Sequence, residues 1–525
     1  MNCQSGDVLA QEQVTASSKE KVLDAVGDAA AKLRGKLGES LASVQKYDVP
    51  LADATTSSLE ALKALTAGQK DQREDQLAAL SYFQRAVQLD PNFASAYLGM
   101  GTFYANVGEQ ERANEYYAKA FELREHASER EKLGIAANYY GSVTGEREKA
   151  VQILQEYIES YPRHYSSYNS LGLAYSASGQ HDKAIEAFRQ NLRLDSNSIV
   201  PYPNLANSLL ALQRIDEARQ TVQQAQGRKI SNLPLRNALY AMAFLSSDSS
   251  AMEEQQKWFA GQPGFENNGL SLAADTEAYA GRLSKARELT RRSVESAIRT
   301  DSKETAAIWR ENAALREAGL GNLPEAKQAA ADGLKLAPTS QAVNVEAALA
   351  YAMAGDTARA ESIAQDLSKR YPLDTQVQSL WLPAIRAQAA LNRKTPALAL
   401  SNLQPAAPPI EYAQIMFVNN ISCLYPTYIR GEAYLATNDG KSAAAEFQKI
   451  LDHSGIVWNC WTAAPAQLGV ARANALQART SQGADADLAR TRALASYKEF
   501  LALWKDADPD IPILKQAKAE YAKAQ

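Results

Sequence analysis

The sequence predicts an all-α superhelical solenoid of about twelve helical hairpins, preceded by a short strand and helix. Three observations predict it. Aromatic and small residues recur at an interval of 34, as in Tyr168 and Tyr202 or Ala184 and Ala218. Apolar residues make up 46% of the chain and are spread evenly, alanine is abundant, and Gly (27) and Pro (19) are modest, a mixture that suits helices. The 525 residues exceed one ordinary compact core, so an extended array or several domains are expected.

From the N-terminus, SGDVLAQEQVTA (Ser5 to Ala16) alternates as a strand, and SSKEKVLDAVGDAAAKLRGKLGESLASV has the period of one amphipathic helix, with Ser17 or Ser18 and Glu20 as a start signal. Residues 1–48 are accordingly expected to be the remnant of an α/β domain. Residues 49–264 form a first array of hairpins, and residues 265–525 a second that ends in a polar-faced capping helix, IPILKQAKAEYAKAQ. The pair spanning Ala238 to Gly264 is the least regular, and a bend or loosened packing is expected there.

Within a hairpin each recurring position has a physical reason. Tyr168, Leu171 and Tyr175 share one face of a first helix, while Gly172 is small where two helices cross closely. Gly179 ends that helix, and Ala184 with Phe188 forms the reciprocal contact on the second. The same spacings place Tyr97, Gly101, Tyr104 and Ala113 upstream, and Tyr202, Leu205 and Ala218 downstream. They return at Gly431, Tyr434, Ala443 and Phe447. Prolines 91, 162, 338 and 372 stand just beyond second helices, where helices stop. One hairpin cannot bury both faces, so stacking supplies the core. This pattern resembles the tetratricopeptide repeat (TPR), which implies a superhelical solenoid and a role in binding proteins or peptides.

Catalytic and cofactor chemistry has little to stand on. Gly99 and Gly101 have G-x-G spacing, but they lie inside a repeat helix without a preceding strand. His126, His164, His181 and His453 are far apart, with no H-x-x-x-H and no C-x-x-C, so no metal or cofactor is expected. No nucleophile elbow or kinase motif occurs, and the chain reads as a non-enzyme. A net charge of −4 argues against a nucleic-acid surface, and no apolar run is long enough to span a membrane. Cys423 and Cys460 precede the first helices of successive hairpins. A bridge between them and a pair of free thiols both stay open, and the usual distance between equivalent positions of neighbouring repeats favours the thiols.

The working surface expected of such an array is its concave face, lined by first helices. Asn169, Leu173 and Ser176 project from one, and Asn204, Asn207 and Ala211 from the next. The asparagines are suited to hydrogen-bond a peptide backbone. The Lys/Arg and Asn set by which some such repeats clamp a C-terminal carboxylate is not found in these units.

Several blocks, among them AAKLRGKLGESLASVQKYDVPL, SEREKLGIAANYY and LWKDADPDIPILKQAKAEYAK, are similar to the C-terminal repeat regions of acidobacterial-type bacterial serine/threonine kinases. In that family a kinase domain and a TolB-like α/β domain precede the repeats, and related arrays follow winged-helix regulators. The resemblance implies a detached sensory or regulatory region of such a signalling protein. Kinase activity does not carry over, because no residue here matches a kinase motif. With no leader or membrane span the chain is expected in the cytoplasm, or outside it if joined to a membrane-anchored parent kinase.

Overall fold

The computed structural model describes residues 8, 10–18, 21–38, 55–71 and 76–525. Among these residues the regular structure is helical throughout. Compactness divides the chain into two units, one holding the described residues up to Val143 together with Gln152–Tyr161, the other Thr144–Val151 and Pro162–Gln525. Gly264, where a boundary was expected, lies inside the second unit.

In the first unit the expected strand is not formed. Residues 8 and 10–16 carry no ladder, and the rest of that segment lies outside the described residues. Alternation alone does not make a strand when no second strand offers hydrogen bonds. Instead Lys36 reaches back to the Gln11 carbonyl (3.2 Å) and the Glu12 carboxylate (2.8 Å). The remnant of an α/β domain is therefore not supported. The helix that follows spans Val22–Lys36; Lys21 before it makes no side-chain cap, and its N–H bonds the Ser18 carbonyl at 3.2 Å. Its expected continuation from 39 lies outside the described residues.

Further on, the helices Leu59–Asp71, Gln76–Leu89, Ala94–Asn106 and Gln110–Glu122 pair antiparallel. Phe83 is fully buried between Gly68 and Gly99, where any added Cβ would meet its ring. Tyr117 sits likewise against Gly101, and Tyr104 stacks on Tyr116 at 5.4 Å. Glu129–Asn138 starts with a full capping box, Ser128 with Glu131.

The second unit continues the pairs from Tyr165–Ser176 with His181–Leu194 to Ala463–Thr480 with Gly483–Leu503, and Pro512–Ala524 follows. The crossing geometry is set by small-against-large contacts. Phe188 is fully buried with Ala184, and its ring lies where a Cβ on Gly172 would stand. Phe447 is wedged between Gly431 and Gly469 in the same way. The Leu233–Leu245 and Ser249–Ala260 helices also pair.

The larger irregularity comes later. A π-turn at Val377–Trp381 leads into Leu382–Asn392, and the second helix of that pair, Pro396–Asn402, has only 7 residues. Pro405, Pro408 and Pro409 follow at once, and their missing N–H groups prevent the helix from continuing. The chain then runs from Leu403 to Leu424 with only one 3-10 turn, Ile410–Tyr412, before helix Tyr425–Ala436 begins.

Candidate functional site: a trough filled by its own chain

The first helices of the second unit present a common face, here called the trough, and the 403–424 segment, here called the strap, lies on it. The strap enters through exposed Gln404, Pro405 and Ala407–Pro409 and is then covered: Ala413 is fully buried, Ile415 and Ile421 nearly so, while Met416 points out at 65% exposure. Its backbone is satisfied partly by its own turns, as where Ile415 N donates to the Ile421 carbonyl (2.8 Å), and partly by groups distant in sequence. Gln414 N donates to the Ser176 carbonyl (3.0 Å) and Ile421 N to that of Ile456 (3.1 Å). The Gln376 amide donates to the carbonyls of Gln414 (3.0 Å) and Ala177 (2.9 Å). The Asn237 amide donates to the Asn419 carbonyl at 2.8 Å.

His181 bonds the Tyr412 carbonyl through Nε2 at 2.9 Å. Burial lowers its pKa, so the ring is neutral and Nε2 carries the proton, with Nδ1 left without a partner. Gly179 turns here with φ +76°, and the Pro409 carbonyl occupies the space of its absent side chain, so only glycine fits.

Charge is confined to two places along the strap. Asn419 donates to Asp275 Oδ2 (2.9 Å) and Ser271 Oγ (2.8 Å), and Asp275 pairs with buried Arg316 at 2.8 Å. Burial raises the Asp275 carboxyl above its usual range, with Arg316 and Asn419 opposing the shift. Glu411 has no exposed side-chain surface and is held by Arg430 at 2.6 Å, which also binds Glu446 at 2.8 Å.

The residues expected to line an open groove divide accordingly. Asn169 is buried and accepts from Asn204 Nδ2 at 3.1 Å. Ser176 (1% exposed) and Ala211 (2%) are withdrawn from solvent, so these two do not line an open groove. Ser176 faces Ser208 at 3.1 Å, and its carbonyl is taken by the strap. Leu173 is exposed, Asn204 and Asn207 are half-buried, and Asn207 Oδ1 has no partner.

Cys423 and Cys460 are joined in a disulfide, with Cα atoms 5.7 Å apart. The expectation of free thiols fails because neither cysteine occupies a repeat position. Cys423 ends the strap beside Leu424 (φ +49°), and Cys460 follows Trp458 (φ +38°) in a tight connection. The latter connection also enters the trough, where the Asn459 amide donates to the Leu272 carbonyl at 3.0 Å.

The strap was not singled out in the sequence, although it carries a signal. From Gln404 to Ile429 there is no lysine or arginine and a single carboxylate, Glu411, behind three closely spaced prolines. A long connection so poor in charge is not a solvated loop.

Gly99 and Gly101 pack against Phe83 and Tyr117 inside their pair of helices and form no phosphate loop. Among the described residues no group of three or more His, Cys, Asp or Glu is placed to hold one metal ion, and no helix is long and apolar enough to cross a membrane.

Comparison with known proteins identifies the repeats. Tetratricopeptide repeats are matched at residues 94–126, 132–164, 165–198 and 345–374. The chain thus carries tetratricopeptide repeats in these four stretches. It is 32% identical over 129 residues to tetratricopeptide repeat protein 37 of Xenopus laevis, covering 24% of this chain and 8% of that one. It is 24% identical over 204 residues to human superkiller complex protein 3, covering 32% of this chain and 13% of that one. The matches thus span about a tenth of these relatives' length. A solved structure of MamA is 25% identical, covers 31% of this chain and 94% of its own, and superposes with a TM-score of 0.22.

Proposed function

We propose that the chain is a non-catalytic scaffold that captures a protein or peptide partner on the first-helix face of its repeats. One observation carries this reading: side chains of the second unit hold main-chain carbonyls of a segment outside the repeat helices, Asn419 through Asn237 and Gln414 through Gln376. A surface of that kind grips polypeptide by its backbone, and tetratricopeptide repeats typically serve protein or peptide binding. Leu173, which is exposed, and Asn204 and Asn207, which are half-buried, are the residues that meet the partner. A net charge of −4 disfavours nucleic acid in that role. Service as the regulatory arm of a signalling kinase is compatible with this reading and rests on the sequence resemblance alone. The disulfide favours an extracytoplasmic setting over the cytoplasm, since such bonds persist in oxidising compartments.

The test is affinity capture from source-cell extract with the tagged chain and with a Leu173→Arg, Asn207→Arg copy. A partner recovered by the first and lost from the second, at equal melting temperature, supports the reading. Identical capture profiles would refute it.

A further inference from the structure

We infer that residues 404–421 are an internal ligand of the trough, and that the second unit is closed to an incoming polypeptide until this strap is displaced. The inference rests on the scaffold reading and goes beyond it by naming the occupant and the state. The trough's contacts with the strap are those a receptor makes with a peptide. Donors from separate repeats, His181, Asn237 and Gln376, converge on carbonyls of one non-helical stretch. They belong to neutral groups and address the backbone, so they do not demand this particular sequence. Side chains are read in addition: Asn419 by Asp275 and Ser271, and Glu411 by Arg430.

The class of competitor follows. It is a turn-containing polypeptide segment with an amide side chain placed to meet Asp275 and a carboxylate placed to meet Arg430. The strap is also built to open from one end. Its entrance, Ala407–Pro409, is exposed, whereas its exit is fixed by the Cys423–Cys460 bond and by helix Tyr425–Ala436. Displacement would begin at the entrance and leave the exit tethered, so that the strap closes again when the competitor leaves.

The probe is a fluorescein-labelled peptide, PIEYAQIMFVNNIS, copying residues 409–422. Its anisotropy is followed with three forms of the whole chain. The first is intact. In the second, residues 404–421 are replaced by a glycine-serine linker of equal length. The third carries a protease site inserted between Ala407 and Pro408 and is nicked there. At least tenfold tighter binding to the opened forms than to the intact chain is expected, with a several-fold loss on Gln376→Ala in an opened form. Equal binding to the nicked and intact chains, with helical circular dichroism retained, overturns the inference. The nicked form decides alone if the linker form does not fold. Partner capture through Leu173 and Asn207 that survives such a result would leave the scaffold reading standing and remove the internal ligand.

Discussion

Glu311 offers the sharpest test of the packing. It lies on helix Lys303–Leu320 with no exposed surface, and neither carboxylate oxygen has a hydrogen-bond partner. Its side chain fills the space beside Gly333 on the paired helix. Burial, followed by the nearby carboxyl of Glu346, raises its pKa well above the usual value of 4.5. Glu346, itself fully buried and bonded only through Asn312 at 2.7 and 2.9 Å, is raised for the same first reason.

The sign follows from linkage. In the folded chain Glu311 keeps its proton at pH values where the unfolded chain has lost it. The stability it contributes is complete below about pH 4.5 and drains away as pH climbs toward the raised folded value, at about 1.4 kcal/mol per pH unit. Glu311→Met removes that slope while conserving volume to a fair degree. Urea unfolding followed by tryptophan fluorescence at pH 4.5, 5.5, 6.5 and 7.5 is the assay. The variant should match the parent at the lowest pH and gain on it by about 1.4 kcal/mol with each unit while the folded carboxyl stays neutral. Parallel curves for the two proteins would show that Glu311 ionises normally and would refute the reasoning.

Three further outcomes are expected. Leu171→Ala should cost about 2–5 kcal/mol as a truncation in the core, whereas Asn207→Ala, whose buried oxygen has no partner, should leave stability nearly unchanged and weaken partner capture; equal melting losses for both would refute the assignment of Asn207 to the binding face. Arg430→Ala leaves the buried Glu411 carboxylate with the more distant Lys449 at 3.5 Å and Thr427 at 3.3 Å, and should destabilise by up to about 3–5 kcal/mol, measured by urea unfolding, and a loss below 1 kcal/mol would refute it. Thiol titration in denaturant should count two more thiols after reduction than before, and an unchanged count would exclude the Cys423–Cys460 bond.

The helix pairs were legible because their cause is local. Leu171 with Tyr175, or Ala184 with Phe188, must share a face at a separation of four, and the glycine opposite each ring records how closely two helices cross. The strap was not legible from the repeat, because that template has no place for it. Its position depends on groups such as His181 and Tyr412, 231 residues apart, and no periodicity couples them. The same blindness affected the groove residues. Nothing on the helix carrying Ser176 tells that Ser208 will meet its hydroxyl or that Gln414 will take its carbonyl. At the N-terminus the alternation was real, but a strand is a property of two chains side by side, and the described residues supply no second one.

In most helical-repeat proteins each module touches only its neighbours, so arrays can be shortened, lengthened or shuffled, and they fray from their ends. Ties such as Asn237 to Asn419, across 182 residues, and Gln213 to Asp452, across 239, break that one-dimensional logic here. Deleting a late module would unsettle an early one, and the second unit should melt as a block, with the slow assembly typical of distant pairings. Modularity has been exchanged for cooperativity.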